Sequence, residues 1–238
     1  AVLRSIRNVN QIIVTERRRD RLLQPICDGL TQTRGFLGAW CVLTDALPEC
    51  VEGANAGFED SSFSPLMEMF KRGERPACCR QVGPSQPVVV ECNRLADCTG
   101  CPFVNAFPGT SAMAVRLASQ GNAYGYLGVC VPSEYANDEE EQSLLLEIAG
   151  DVAFALHSIK TEESRDTSQR TLRAIFEAAK DGILLADAET RRFVMANDAL
   201  CETLGYAREE LRDMTVADIH PPEDFPRVIA KFEKQLRG

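Results

Sequence analysis

The sequence is short of long apolar runs, of histidine and of basic charge. No stretch of its 238 residues approaches the roughly 18–20 consecutive apolar residues that a membrane-spanning helix needs, so no membrane segment is expected. The N-terminus, AVLRSIRNVNQ, lacks the unbroken apolar core of a secretory signal, which sets the expectation of a cytoplasmic location. The 26 basic residues are outnumbered by 35 acidic ones, for a net charge of −9. Neutralising a phosphate backbone takes a basic face, so no nucleic-acid partner is expected. The one basic cluster, Arg17, Arg18, Arg19 and Arg21, reads as a solvated helix face. No Gly-rich phosphate loop and no Ser-His-Asp arrangement is present, and no catalytic residue is assigned.

Hydrophobic residues make up 45% and charged residues 26% of the chain, proportions of a packed globular protein rather than a disordered one. The length favours two domains. Ten cysteines without a secretory signal do not read as a disulfide framework, because cytosolic thiols are kept reduced. Half of them are scattered. The others, Cys78, Cys79, Cys92, Cys98 and Cys101, crowd into one short segment.

Apolar periodicity orders the chain. Val2, Ile6, Val9 and Ile13 form a seam at heptad spacing, and Leu22, Leu23, Ile26, Cys27 and Leu30 continue a helical stripe up to turn chemistry at Gly29, Thr33 and Gly35. Residues 36–44 predict a strand with a continuous buried run, and 48–63 a loop or short hairpin before Ser64 caps a helix through about Lys71. Val88, Val89 and Val90 suit a short strand. Residues 112–117 and 124–131 read as a hairpin around Gln120-Gly121-Asn122. Asn137 caps a helix whose first turn is acidic and whose Leu145, Ile148, Val152, Ala155 and Ile159 repeat the heptad seam. These two seams would pack together or against their copies in a second subunit, so a homodimer is expected. A polar linker over 161–169, through which the helix can run on, separates it from an amphipathic helix holding Leu172, Ile175 and Phe176. Strands at 182–186 and 193–196 follow around a turn at Glu189-Thr190, then a helix capped by Asn197, another from 208, and a last one over 224–236.

The segments LLQPICDGLTQTRGFLGAWCVLTD and AYGYLGVCVPSEYANDEEEQSLLLEIAGDVAFALHSI resemble the first and last thirds of GAF domains found in bacterial sensor histidine kinases. TLRAIFEAAKDGILLAD, FVMANDALCETLGYAREEL and IHPPEDFPRVIAKF resemble the front portion of a PAS domain, with Asn197, Leu200, Leu204, Gly205, Tyr206 and Glu210 as the closest match. The resemblance implies an α+β fold: a GAF-like antiparallel sheet flanked by helices over 1–160, a helical linker over 161–170, and an incomplete PAS-like α/β segment over 171–238. It also implies a sensory input region of a two-component histidine kinase, responding to a small molecule or to redox state and passing the signal through helices, with the output enzyme elsewhere. Neither His157 nor His220 sits in the phosphoacceptor context of such kinases.

Two site expectations follow. Trp40, Phe63, Met67, Phe70 and Phe103 are candidates for a ligand pocket within the first domain, with plain core as the alternative. The pair Cys98-x-x-Cys101, with Cys78, Cys79 and Cys92 upstream, offers ligands for a structural zinc ion or partners for a thiol switch. An iron–sulfur cluster, a haem ligated through Cys101, and reduced loop cysteines complete the alternatives. The rival function is a GAF-fold thiol enzyme of the free methionine sulfoxide reductase type, whose chemistry needs a low-pKa cysteine beside a resolving one.

Overall fold

The computed structural model describes residues 16, 18–34, 36–45, 51–91 and 100–236. The chain divides into two compact units, Ala1–Glu162 and Glu163–Gly238. The opening seam from Val2 to Ile13 lies outside the described residues.

The first unit is built on a five-stranded antiparallel sheet in the order β2-β1-β5-β4-β3. The strands are β1 (Gly38–Leu43), β2 (Glu52–Ala56), β3 (Val88–Glu91), β4 (Thr110–Ser119) and β5 (Asn122–Pro132). Every β1 side chain is buried because both sheet faces are covered. Ala39, Cys41 and Leu43 alternate onto one face and join Met113, Val115, Leu127 and Val129 in the main core. Trp40 and Val42 point to the other face, with Ala114 and Tyr126. The β4–β5 turn uses Gln120 at φ 52° and Gly121 at φ 77°, the paired left-handed conformation that a two-residue hairpin favours. Strand β2 pairs with β1 in register from Leu43↔Glu52 to Ala39↔Ala56, so the segment expected as a loop or short hairpin over 48–63 instead supplies one strand to the main sheet before the next helix begins at Asp60.

Two helices cover the first face. In α1 (Arg19–Arg34) the whole stripe of Leu22, Leu23, Ile26, Cys27 and Leu30 is at most 3% exposed. The turn expected around Gly29 does not form there; the helix continues to Arg34. Glycine costs a helix about 1 kcal/mol, whereas burying Leu30 is worth roughly 1.5–3 kcal/mol. The other is α4 (Glu139–Ala178), a 40-residue helix. Its cap is Asp138 rather than the expected Asn137: the Asp138 carboxylate accepts the Glu140 N–H at 2.9 Å, and its carbonyl accepts the first intrahelical bond, from Gln142 at 3.1 Å. Leu145, Ile148, Val152, Ala155 and Ile159 are buried in the same core as the α1 stripe and the sheet. That seam is therefore covered within the unit.

The expected linker over 161–170 is helical, and α4 runs through it unbroken into the segment expected as a separate amphipathic helix. Between Asp151 and Asp181 the sequence holds no glycine and no proline, and its Glu, Arg, Gln and Lys residues are good helix formers, so a helix polar on all sides is sustained.

On the second face lie α2 (Asp60–Lys71) and α3 (Ala77–Gln81). Helix α2 starts four residues before the expected Ser64, because the Glu59 carbonyl already accepts from Ser62 and Phe63 at 3.0 and 3.1 Å.

In the second unit, β6 (Leu184–Ala186) and β7 (Phe193–Ala196) form a hairpin whose turn is tied by Asp187, its carboxylate accepting from the Thr190 N–H at 2.8 Å and hydroxyl at 2.7 Å. Helices α5 (Asp198–Leu204), α6 (Arg208–Asp213) and α7 (Phe225–Leu236) follow. Phe193, Ala196, Leu211 and Val216 make its small core, with Leu200 and Leu204 against it.

Candidate functional site

The second face of the sheet gathers the residues that the sequence marked for a site. Phe63, Leu66, Met67 and Phe70 recur at helical spacing on α2 and face Trp40 of β1 and Tyr126 of β5. Helix α3 adds Cys78 and Cys79, and the loop after residue 100 adds Cys101 and Phe103. All five pocket candidates fall in this one cluster, together with three of the five expected thiols. Cys92 and Cys98 lie outside the described residues.

The rings pack on one another. Trp40 lies 6.3 Å from Phe70 and 6.2 Å from Phe103 between centroids, and Phe70 is 5.9 Å from Tyr126. Phe58, which no sequence pattern marked, stacks on Phe103 at 3.9 Å. Trp40, Phe70 and Phe103 are thus buried core, while Phe63 and Met67 are half-buried at the rim. Arg75 donates to the Tyr126 hydroxyl at 2.9 Å and holds its guanidinium 5.5 Å from that ring. Gly128 makes room for the indole: a Cβ there would sit 2.3 Å from Trp40 Cε2. Gly128→Ala is expected to cost about 2 kcal/mol by overpacking and to change Trp40 fluorescence; an unchanged spectrum and melting curve would contradict this packing.

Three of the buried thiols are held in the protonated form. The hydrogen bond with Cys78, then burial, then the nearby Cys78 and Cys101 push the Cys79 thiol well up. On the opposite face burial pushes Cys41 up to about 12, and burial is also the main cause raising Cys27, whose Sγ donates to the Ala54 carbonyl at 3.5 Å. The thiolate is the nucleophile. Accordingly, Cys27, Cys41 and Cys79 are expected to resist alkylation by iodoacetamide in mildly alkaline buffer until the protein is unfolded, read by peptide mass spectrometry; rapid labelling of Cys79 in the native state would refute its burial. Among the described residues, no group of three or more His, Cys, Asp or Glu side chains is placed to hold a metal ion.

Two polar networks grip α4. Near the point where it leaves the sheet, Asp45 takes Lys160 at 3.1 Å and the Arg19 Nη1 at 3.0 Å, with Arg19 also bridging to Glu52 at 3.1 Å. The Asp45 side chain is only 5% exposed. Arg19, read from sequence as part of a solvated face, is instead a buried-carboxylate partner. Next to it the Tyr124 hydroxyl meets His157 Nδ1 at 2.7 Å, and Lys160 lies 5.7 Å from the Tyr124 ring.

Within the second unit the last turns of α4 are held by Asn197, which is fully buried. The two hydrogens of its amide nitrogen are shared among the carbonyls of Asp181 at 2.9 Å, Phe176 at 3.2 Å and Ala179 at 3.4 Å. Its amide oxygen accepts from the N–H groups of Ile183 at 2.8 Å and Leu200 at 3.1 Å. Arg208 adds a two-pronged bond to Glu177 at 2.7 and 2.9 Å and reaches Asp198 at 2.6 Å. The hydrogen bond from Arg208 holds the Glu177 carboxyl below the usual range. The sequence showed Asn197 as a helix cap but not as the hub of five bonds.

The first unit has the α+β architecture expected of it, an antiparallel sheet flanked by helices, and α4 continues from it into the PAS-like segment. Residues 170–237 match the family model described as PAS domain. The chain is 29% identical over 96 residues to the probable diguanylate cyclase DgcE of Escherichia coli K12, a match over 40% of this chain and 9% of that protein. It is 22% identical over 148 residues to the methyl sulfide methyltransferase-associated sensor of Methanosarcina acetivorans, covering 62% of this chain and 14% of that one. It therefore spans only 9% and 14% of the curated relatives it matches. Among solved structures, the GAF domain of an Acinetobacter phosphoenolpyruvate-protein phosphotransferase superposes with a TM-score of 0.49 at 14% identity, covering 67% of this chain and 95% of that one. No helix among the described residues is long and apolar enough to cross a membrane.

Proposed function

We propose that the chain is the input region of a bacterial two-component sensor histidine kinase, in which the thiol cluster of the first unit senses oxidants and α4 carries the change to the PAS-like unit. The observation that supports this most is α4 itself. Its first half is locked to the sheet through a buried seam and Asp45, and its last turns are bound by Asn197 and Arg208. A packing change at one end has a covalent, hydrogen-bonded route to the other. The kinase output rests on the resemblance of the sheet and helix segments to GAF domains of sensor kinases; the name of the Escherichia coli relative makes a cyclase the competing output. A homodimer belongs to the same proposal, through the opening heptad seam of Val2, Ile6, Val9 and Ile13, since the α4 seam is covered within its own unit.

The redox reading is favoured over zinc because Cys78, Cys79 and Cys101 gather in one cluster, yet among the described residues no three His, Cys, Asp or Glu side chains are placed to hold a metal ion. It is favoured over sulfoxide reduction because Cys79 is pushed up, away from the low pKa that reaction needs. In the proposed step a hydroperoxide oxidises the half-exposed Cys101 to a sulfenic acid and leaves as the alcohol. Cys79 then attacks that sulfur, its proton leaving with the sulfenic hydroxyl as water, to form one disulfide per hydroperoxide consumed; the raised Cys79 pKa makes this the slow step. Peroxide titration followed by disulfide mapping tests this. A bond joining Cys79 and Cys101, lost in Cys79→Ala, is the expected result. Stoichiometric zinc with all ten thiols unoxidised at excess peroxide would overturn it.

A further inference from the structure

The second unit contains a cavity of about 650 Å³ that takes no part in the thiol chemistry of the first. We propose that it binds a monomeric amphiphile with one anionic head and a medium-length apolar tail, of the fatty-carboxylate kind. This is a second, independent input.

The volume is within the range of small-molecule sites, roughly 300–1,000 Å³. Its apolar wall comes from Leu172 on α4 and from Leu185, Val194 and Met195 on the hairpin. These four are 64%, 50%, 51% and 41% exposed, an unusual grouping of large apolar side chains in a unit this small. Alternation with one irregularity explains it: Leu184, Ala186, Phe193 and Ala196 are taken by the unit's own core, and a register shift between Leu185 and Ala186 leaves Val194 as an extra residue, so that Leu185, Val194 and Met195 all stay outside that core.

The charged lining is of one sign. Arg173, Arg208 and Arg212 border the cavity, and no acidic residue does among those described. Arg208 is engaged by Glu177 and Asp198. Arg173 bears on Glu177 only through its charge, and Arg212 makes no ion pair among the described residues. Glu177 is thus shared by two arginines while Arg212 has no counter-charge among them, so the lining has a surplus of positive charge beside a greasy wall. An anion placed there gains a guanidinium fork, and its tail covers the exposed Leu and Met surface.

The test is calorimetric titration of the 238-residue chain with dodecanoate below its micellar concentration, beside dodecyltrimethylammonium as the charge-reversed probe. The expected result is one saturable site for dodecanoate and none for the cation. The double variant Arg173→Gln, Arg212→Gln should weaken dodecanoate binding about tenfold or more, as loss of charged hydrogen bonds implies. Val194→Asp should abolish it, with circular dichroism confirming that each variant remains folded. Equal binding of the two probes, dodecanoate binding unaltered by the double variant, or no saturable site in the native chain would overturn the proposal. Co-sedimentation with phosphatidylglycerol vesicles distinguishes a lipid surface from a free amphiphile. Protein remaining in the supernatant supports the monomeric ligand; sedimentation lost in the same double variant would overturn it in favour of a headgroup.

Discussion

Asn197→Ala is expected to unfold the PAS-like unit while the first unit stays folded. The side chain is fully buried and has five bonds to backbone groups of α4, the following loop and α5. Alanine leaves those carbonyls and N–H groups without their partner in a site water does not reach. Each buried group so orphaned costs about 1–3 kcal/mol, and allowing for relaxation the loss is of order ~4 kcal/mol. The second unit's buried core is a handful of residues around Phe193 and Leu211, so a loss of that size is comparable to its whole stability. Asn197→Asp keeps the acceptor for Ile183 and Leu200 but forfeits the three donated bonds, and should fall between. Two-phase thermal unfolding followed by circular dichroism, with proteolysis mapped to residues beyond 178, checks it. A single unshifted transition would show that Asn197 does not hold the unit.

The second large effect belongs to Asp45. Removing one member of a buried charge cluster leaves its partners uncompensated, and Asp45→Ala should cost about 3 kcal/mol, the lower end of what breaking such pairs costs. The effect is moderated because Lys160 is half in solvent. Burial raises the Asp45 carboxyl, but hydrogen bonds from Arg19 and Lys160 outweigh it and hold the group below the usual carboxylate range. A carboxyl with a depressed folded-state pKa contributes stability that is present above its unfolded value of about 4 and is lost as pH falls through the folded value. The native chain should therefore lose this stabilisation only below about pH 4, and Asp45→Asn should flatten that limb of the profile. Denaturant melts across the acid range decide it; a wild-type acid limb retained in Asp45→Asn would assign the effect to other carboxylates.

The elements most legible in the sequence were those whose burial and local chemistry agree. The α1 stripe, the β4–β5 hairpin with its Gln120-Gly121 turn, and the Asn197 cap each carry a periodicity or a turn residue that has one structural solution. Expectation and structure part where burial or helix propensity outweighs a local signal. Gly29 reads as a turn but sits in a helix whose next residue, Leu30, is buried. The linker over 161–170 is helical as read, but it has no boundary with the helix expected to follow it, because nothing in the stretch breaks a helix. For the site, aromatic type and helical spacing were enough to bring Trp40, Phe63, Met67, Phe70 and Phe103 together. They were not enough to show that Phe58 and Tyr126 arrive from distant segments to pack on Phe103 and Phe70. The Asp45–Arg19–Lys160 network joins residues far apart in the chain and leaves no periodic trace.

The proposed signalling requires that α4 couple the two units, and hydrogen exchange at the Ile183 and Leu200 amides measures that most directly, since both donate to Asn197 Oδ1. Oxidising the thiol cluster is predicted to change their exchange rates in the native chain. Replacing Asp166 with proline, which breaks α4 between its two anchor points, is predicted to abolish the response while leaving disulfide formation intact. Exchange at Ile183 and Leu200 that is the same before and after oxidation, with the disulfide verified, would contradict it.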